Sequence, residues 1–161
     1  MPISFEKWQR RLRIVLKKDG LTDNQIQTMA FDHEGSLWVG TYRGGLNRFK
    51  DGKFLTYTSK QGLVDDIVYG VLQDRDGSYW IATAGGVSHF INGKFVNYTP
   101  QNGFPDDLAR YIIRTRSNQL YFATYSGFAD TKTGTSKISQ RVAGLAIGCV
   151  LSMKIHKGGF G

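Results

Sequence analysis

The chain has 161 residues, enough for one domain with a sizeable core, and its 13% aromatic and 40% hydrophobic content separates it from disordered sequences, which are poor in aromatics. A formal charge of +8 suggests nucleic acid, but the densest basic cluster is confined to Lys7, Arg10, Arg11, Arg13, Lys17 and Lys18, so no nucleic-acid partner is expected. The single cysteine, Cys149, excludes an intrachain disulfide and a multi-cysteine metal site, and twenty glycines against three prolines point to many tight turns between short strands.

The first residues, "MPISFEKWQRRLRIVLKK", lack the apolar run of a secretory signal. The most apolar stretch, "VAGLAIGCVLSM" at 142–153, is far shorter than the roughly 20 residues a bilayer span needs, so no membrane segment is expected in this chain. Gly-Leu or Gly-Phe pairs then open at Gly20, Gly62, Gly103 and Gly144, at intervals of 42, 41 and 41 residues. Trp38, Trp80 and Tyr121 keep step, as do Thr41, Thr83 and Thr124. Six residues past each opening glycine stand Ile26, Val68, Ala109 and Val150, and nine past it Met29, Val71, Ile112 and Met153. Columns in register over this length identify an internal repeat.

Within a copy the hydrophobic period is two. The second copy predicts strands over 68–74, 78–83, 86–91 and 94–99, joined by "RDG", "AG" and "NG", whose Gly and Asn tolerate the positive φ of hairpin turns. Repeated four-stranded units of 40 to 45 residues are the signature of a β-propeller. The expected class is therefore all-β: a partial β-propeller of four-stranded blades, three of them over residues 20–137, with part-blades at both ends. As one domain over 1–161 it divides into an outer strand of a preceding blade (1–19), blades at 20–61, 62–102 and 103–143, and the first strand of an incomplete blade at 144–161.

Asp32 and Asp74 open D-x-x-G turns between first and second strands, where the aspartate can bond its own backbone. The doublets Gly44-Gly45 and Gly85-Gly86 turn the chain into the third strand; no helical stretch follows them, so they are not phosphate loops. Trp38 and Trp80 are expected to fill the wedge between blades, and the pairs Phe49/Phe90, Phe54/Phe95 and Tyr57/Tyr98 to be core on the same terms.

The consensus D-x-x-G-x-[LY]-W-[VI]-[GA]-T, then G-G-[LV]-x-x-F and x-G-K-F-x-x-Y, resembles the two-component regulator propeller repeat, with three copies over residues 19–137. That resemblance implies a periplasmic ligand-sensing ectodomain of a bacterial hybrid sensor kinase, responsive to glycans or other nutrients, with kinase, receiver and DNA-binding parts elsewhere. The third copy departs from it: Tyr121 replaces Trp, Ser126-Gly127 the glycine doublet, Ser117-Asn118 the D-G turn, and "ADTKTGTSK" stands where an outer strand is due.

An open propeller exposes strand edges and apolar blade faces. Three completions are open: the remainder of a longer propeller, a homodimer of about eight blades, or a four-bladed ring in which 150–155 pairs with 12–16. The loops "GLTDNQ", "GLVDD", "GFPDD", "TYRGG", "TAGG" and "TYSG" share one face and present Asp23, Asn24, Asp65, Asp66, Asp106 and Asp107 beside Tyr42, Arg43 and Tyr125, a set suited to a small molecule or oligosaccharide that stacks and takes hydrogen bonds. The same Asp and Asn residues are what such turns need for local capping. His33, His89 and His156 share no spacing, so no catalytic or metal constellation and no cofactor is expected. Two further readings remain: a protein-interaction scaffold, and a propeller lyase of the streptogramin-inactivating type, which needs a histidine and carboxylates on one face.

Overall fold

The computed structural model describes residues 17–130. Their strands fall into three antiparallel sheets, and each sheet is one copy of the repeat. The first holds β1 (Ile26–Phe31), β2 (Leu37–Thr41), β3 (Leu46–Lys50) and β4 (Lys53–Tyr57), and the second β5 (Val68–Gln73), β6 (Tyr79–Thr83), β7 (Gly86–Ile91) and β8 (Lys94–Tyr98), each in simple meander order. The second copy's strands thus match the sequence expectation to within one residue at each end. The third sheet holds β9 (Ala109–Arg114), β10 (Leu120–Thr124) and β11 (Phe128–Asp130). Several expectations lie outside the described residues: the outer strand of a preceding blade before 17, a fourth strand of the third copy after 130, the strand in 144–161, the pairing of 150–155 with 12–16, Cys149 and His156.

Turn chemistry explains the meander. At the hairpins Asp51-Gly52 and Asn92-Gly93 both central residues have φ between 50° and 77°, the mirror-image turn whose twist suits antiparallel strands. In the first turn the Asp32 N–H donates to the Ser36 carbonyl at 3.0 Å, while Asp32 Oδ1 accepts the N–H groups of Glu34 and Ser36 at 3.0 and 2.7 Å. The third copy replaces Asp by Thr115, whose Oγ1 accepts the Gln119 N–H at 3.0 Å, and Gly by Asn118, which takes φ 65° as Asn readily does.

The core lies between sheets. Trp38, 1% exposed, packs with Leu46, Leu63, Val68, Tyr79 and Ile81 at the first junction; Ala82, Val87, Ala109, Leu120, Phe122 and Ala129 form the second, flanked by Trp80. Trp38 sits 4.4 Å from the Tyr79 ring and 5.8 Å from Tyr57, so one indole joins two blades, as the wedge role requires. Tyr57 is covered in turn by Phe90 and Phe95 at 5.1 and 5.8 Å. Tyr98 departs from the expected pattern, being 38% exposed, although its ring lies 5.7 Å from Trp80. The aromatic pair that covers Tyr57 has no aromatic counterpart in the third copy, whose sequence carries Thr131 and Ser136 at those columns.

The first strands set the hub. β1 packs on β5 and β5 on β9, whereas the later strands diverge. Each first strand also carries one extra residue near its start: pairing jumps from Ile26 to Thr28, from Val68 to Gly70 and from Ala109 to Tyr111 against successive partners.

Candidate functional site

Backbone bonds tie the loops at one end of the sheets together. Tyr42 N–H donates to Gln25 O at 2.9 Å, Gly45 N–H to Asp66 O at 2.9 Å, Ala84 N–H to Ile67 O at 3.1 Å and Tyr125 N–H to Leu108 O at 3.3 Å. The segments before each first strand and the loops between second and third strands therefore share one face, as the sequence predicts. Each threonine that ends a second strand braces this face: Thr41 Oγ1 donates to Gly45 O, Thr83 to Gly86 O and Thr124 to Gly127 O, at 3.0, 2.9 and 3.1 Å.

Most of the predicted carboxylates hold these loops. Asp23, Asp65 and Asp106 each accept the N–H two residues ahead, of Gln25, Ile67 and Leu108, at 3.1, 2.7 and 3.1 Å. The second oxygen of Asp23 accepts the Arg43 N–H at 3.0 Å, and that of Asp106 the Ser126 N–H and Oγ at 2.7 and 2.8 Å. Burial works against the Asp106 charge, but bonds from the Ser126 hydroxyl and the Leu108 and Ser126 backbone outweigh it and lower its pKa. Asp66 Oδ1 accepts the Ser59 N–H at 2.6 Å, and Asn24 Oδ1 the Lys17 N–H at 2.8 Å. Asp107 is exposed beside Asp106.

Of the predicted residues, Arg43, Asp107 and Tyr125 are exposed without bracing a loop, and Tyr42 is half-buried. Asp23, Gln25, Tyr42 and Arg43 line an open cleft of about 330 Å³, with the Arg43 guanidinium 5.2 Å from the centre of the Tyr42 ring. Tyr125 is 82% exposed on the third copy's corresponding loop. The two described histidines, His33 and His89, lie away from this face. His33 occupies the turn at the opposite end of the first sheet, and His89 stacks on Trp80 at 3.9 Å with its Nε2 2.8 Å from Ser78 Oγ. Among the described residues no three His, Cys, Asp or Glu side chains converge as a metal site would require.

The family model described as two component regulator propeller matches residues 20–43 and 62–85, the opening strands and turns of the first two sheets. The first two copies thus carry the match to that repeat family. No curated protein sequence matches the chain significantly. Among solved structures it is similar to the extracellular domain assigned to the hybrid two component system BT3049 of B. thetaiotaomicron, with 22% identity, a TM-score of 0.65, and coverage of 73% of this chain and 17% of that one. It is also similar to the extracellular domain assigned to the one component system BT4673 of the same organism, at 23% identity and TM-score 0.57 over 68% of this chain and 17% of that one. A catalytically inactive virginiamycin B lyase from Staphylococcus aureus with quinupristin aligns at 16% identity and TM-score 0.52, over 68% of this chain and 39% of that one. At such identities these likenesses establish the propeller fold, and the chain spans about a sixth of the length of the two extracellular domains, 17% in each case.

Two features of these repeats go beyond what the sequence alone assigned. One is the bond from the indole of each Trp to the carboxylate of its own turn, Trp38 Nε1 to Asp32 Oδ2 at 2.9 Å and Trp80 Nε1 to Asp74 Oδ2 at 3.1 Å. The spacing of six residues was visible as D-x-x-G-x-x-W, and the joint replacement by Thr115 and Tyr121 in the third copy is the signal that links the two positions. The other is a second, narrower cleft of about 70 Å³ at the hub, lined by Gln27, Tyr69, Arg110 and Tyr111. Its first three residues each lie seven positions past an opening glycine, a column whose unlike residues give no repeat signal.

Proposed function

We propose that the chain is a non-catalytic ligand-sensing segment of a bacterial two-component signalling protein, working outside the cytoplasm as part of a larger propeller. The observation that supports it is the regulator propeller repeat itself, matched over residues 20–43 and 62–85, together with its likeness to extracellular domains of such systems. No helix among the described residues is long and apolar enough to cross a membrane, and the proposed periplasmic placement is supported by the likeness to those extracellular domains. The loop face is the proposed ligand surface. On it Asp23, Asp65 and Asp106 act as braces, while Arg43, stacked over the half-buried Tyr42, and Tyr125 offer an exposed guanidinium and an exposed ring, the means by which a saccharide or other ring-bearing nutrient is held.

The outward faces of the first and third sheets support completion by further blades. Met29 and Phe31 of β1 are 64% and 74% exposed, and Tyr111, Ile113 and Phe128 between 42% and 47%. The equivalents of Met29 and Phe31 in the second copy, Val71 and Gln73, meet the first sheet.

A thermal-shift screen of the full chain against an oligosaccharide panel, in parallel with a pull-down, tests the reading. A ligand at 100 times its Kd stabilises by about 2.7 kcal/mol, a shift of several degrees for a domain of this size. Stabilisation by one glycan class supports sensing; no saccharide hit beside a tight protein partner replaces it with the scaffold reading.

A further inference from the structure

The three extra residues of the hub strands are Gln27, Tyr69 and Arg110, which occupy one and the same repeat column. A bulge re-aims its side chain and breaks local pairing, and bulges recur beside functional sites. Here the bulge occurs in all three sheets while the residue it presents is different in each. The column just before it keeps its residue type: Ile26, Val68 and Ala109 are all apolar, Val68 and Ala109 wholly buried and Ile26, on the first sheet, 39% exposed. Positions that only pack repeat their residue type with the repeat. Positions that each touch a different part of one ligand do not.

We propose that Gln27, Tyr69 and Arg110 form a ligand-contacting arc at the hub, in which Arg110 selects a ligand bearing a carboxylate. This rests on the sensing reading and names the chemical class sensed. Arg110 is exposed and makes no ion pair among the described residues; its guanidinium lies 5.0 Å from the centre of the Tyr69 ring. The ring restrains the long side chain without consuming its hydrogen-bond donors, so a planar donor fork is presented for bidentate binding of a carboxylate. Gln27 and the hydroxyls of Tyr69 and Tyr111 can add neutral hydrogen bonds. The cleft volume of about 70 Å³ admits a group of a few heavy atoms, so a carboxylate enters while the ring that bears it stays outside.

The test uses the full chain with trigalacturonate as the acidic probe and maltotriose as the neutral one, titrated by calorimetry and by NMR of the arginine Nε–H signals. Arg110→Gln is expected to weaken trigalacturonate binding at least tenfold. Arg75→Gln, in an exposed turn at the other end of the second sheet, should change it less than twofold, and the Arg110 Nε–H signal should shift on saturation. Undiminished binding in Arg110→Gln, or equal losses in both variants, overturns the proposal. Binding of maltotriose but not trigalacturonate overturns the carboxylate assignment and leaves sensing intact; binding of neither saccharide overturns both.

Discussion

Replacing Asp32 by Asn should destabilise the first blade junction by about 2 to 4 kcal/mol at neutral pH. The Asp32 side chain is fully buried, and its two oxygens accept four bonds: from the Glu34 and Ser36 N–H groups, from Trp38 Nε1 at 2.9 Å and from the Tyr79 hydroxyl at 2.9 Å, with Arg48 Nη2 at 3.4 Å. Burial opposes the charge, but the bonds from Trp38, Ser36 and Tyr79 overcome it and bring the pKa from 3.8 down to about 2. That difference corresponds to about 2 kcal/mol at pH 7, since each pKa unit is worth about 1.4 kcal/mol. Because the folded-state pKa is the lower one, the contribution is complete above about pH 4 and disappears as pH falls towards 2. Asn adds a second cost, because its NH₂ group would face the Trp38 N–H, leaving a buried donor unpaired at about 1 kcal/mol or more. Urea unfolding followed by tryptophan fluorescence measures the difference, and the wild-type and Asp32→Asn curves should converge on acidification. In a double-mutant cycle with Tyr79→Phe the coupling should reach about 1 kcal/mol across the junction. A loss below about 0.5 kcal/mol at pH 7, or a gap that does not narrow between pH 4 and 2, would refute the argument.

Gly86→Ala should cost more than 3 kcal/mol, because φ is 126° and an added Cβ would stand 2.2 Å from the Tyr98 carbonyl oxygen, whereas Gly77→Ala, at φ 85° with open space around it, should cost about 1; equal losses in chemical denaturation would contradict this. Burial lowers the His89 pKa below 6.5, against the opposing pull of Asp76 and Asp74. The folded protein therefore binds this proton more weakly than the unfolded chain, so stability should be full above pH 6.5 and decline below it, with His89→Gln removing that slope; an NMR titration midpoint at or above 6.5 would exclude it. Phe31→Glu, on the outward face of the first sheet, should shift sedimentation of the chain towards its smallest species, and an unchanged distribution would show that no blade docks there.

The fold was legible because its determinants are local and repeated. D-G and N-G turns, the tryptophan column and the period-two strands lie within a single copy, and their recurrence after about forty residues multiplied a weak signal. The loop face was legible only as a location. Asp23, Asp65 and Asp106 look alike as binding carboxylates and as loop braces, and only the positions of the Gln25, Ile67 and Leu108 N–H groups decide between the two. The hub cleft escaped for the opposite reason. A repeat search finds columns that agree, and Gln27, Tyr69 and Arg110 agree in position alone; the bulge that sets them apart is a matter of strand register, which depends on the partner strand.

The two junctions show how one blade shell tolerates different chemistry. At the first, the turn carboxylate of Asp32 is gripped from the next sheet by the Tyr79 hydroxyl at 2.9 Å. At the second the tyrosine column holds Leu120, which has no hydroxyl to give, and Asp74 is instead paired with Arg114 at 3.1 Å, from the strand that precedes it. Either donor satisfies a carboxylate that already holds its own tryptophan, so what each junction requires is a buried or half-buried negative charge with a donor across the gap, in whichever column the next blade supplies one. The third copy gives up the carboxylate and the indole together, and its Thr115 needs only the Gln119 N–H to close the turn. A shell whose junctions are satisfied in this interchangeable way leaves the hub column free to differ from blade to blade, and that freedom lets near-identical sheets present an asymmetric surface at the hub.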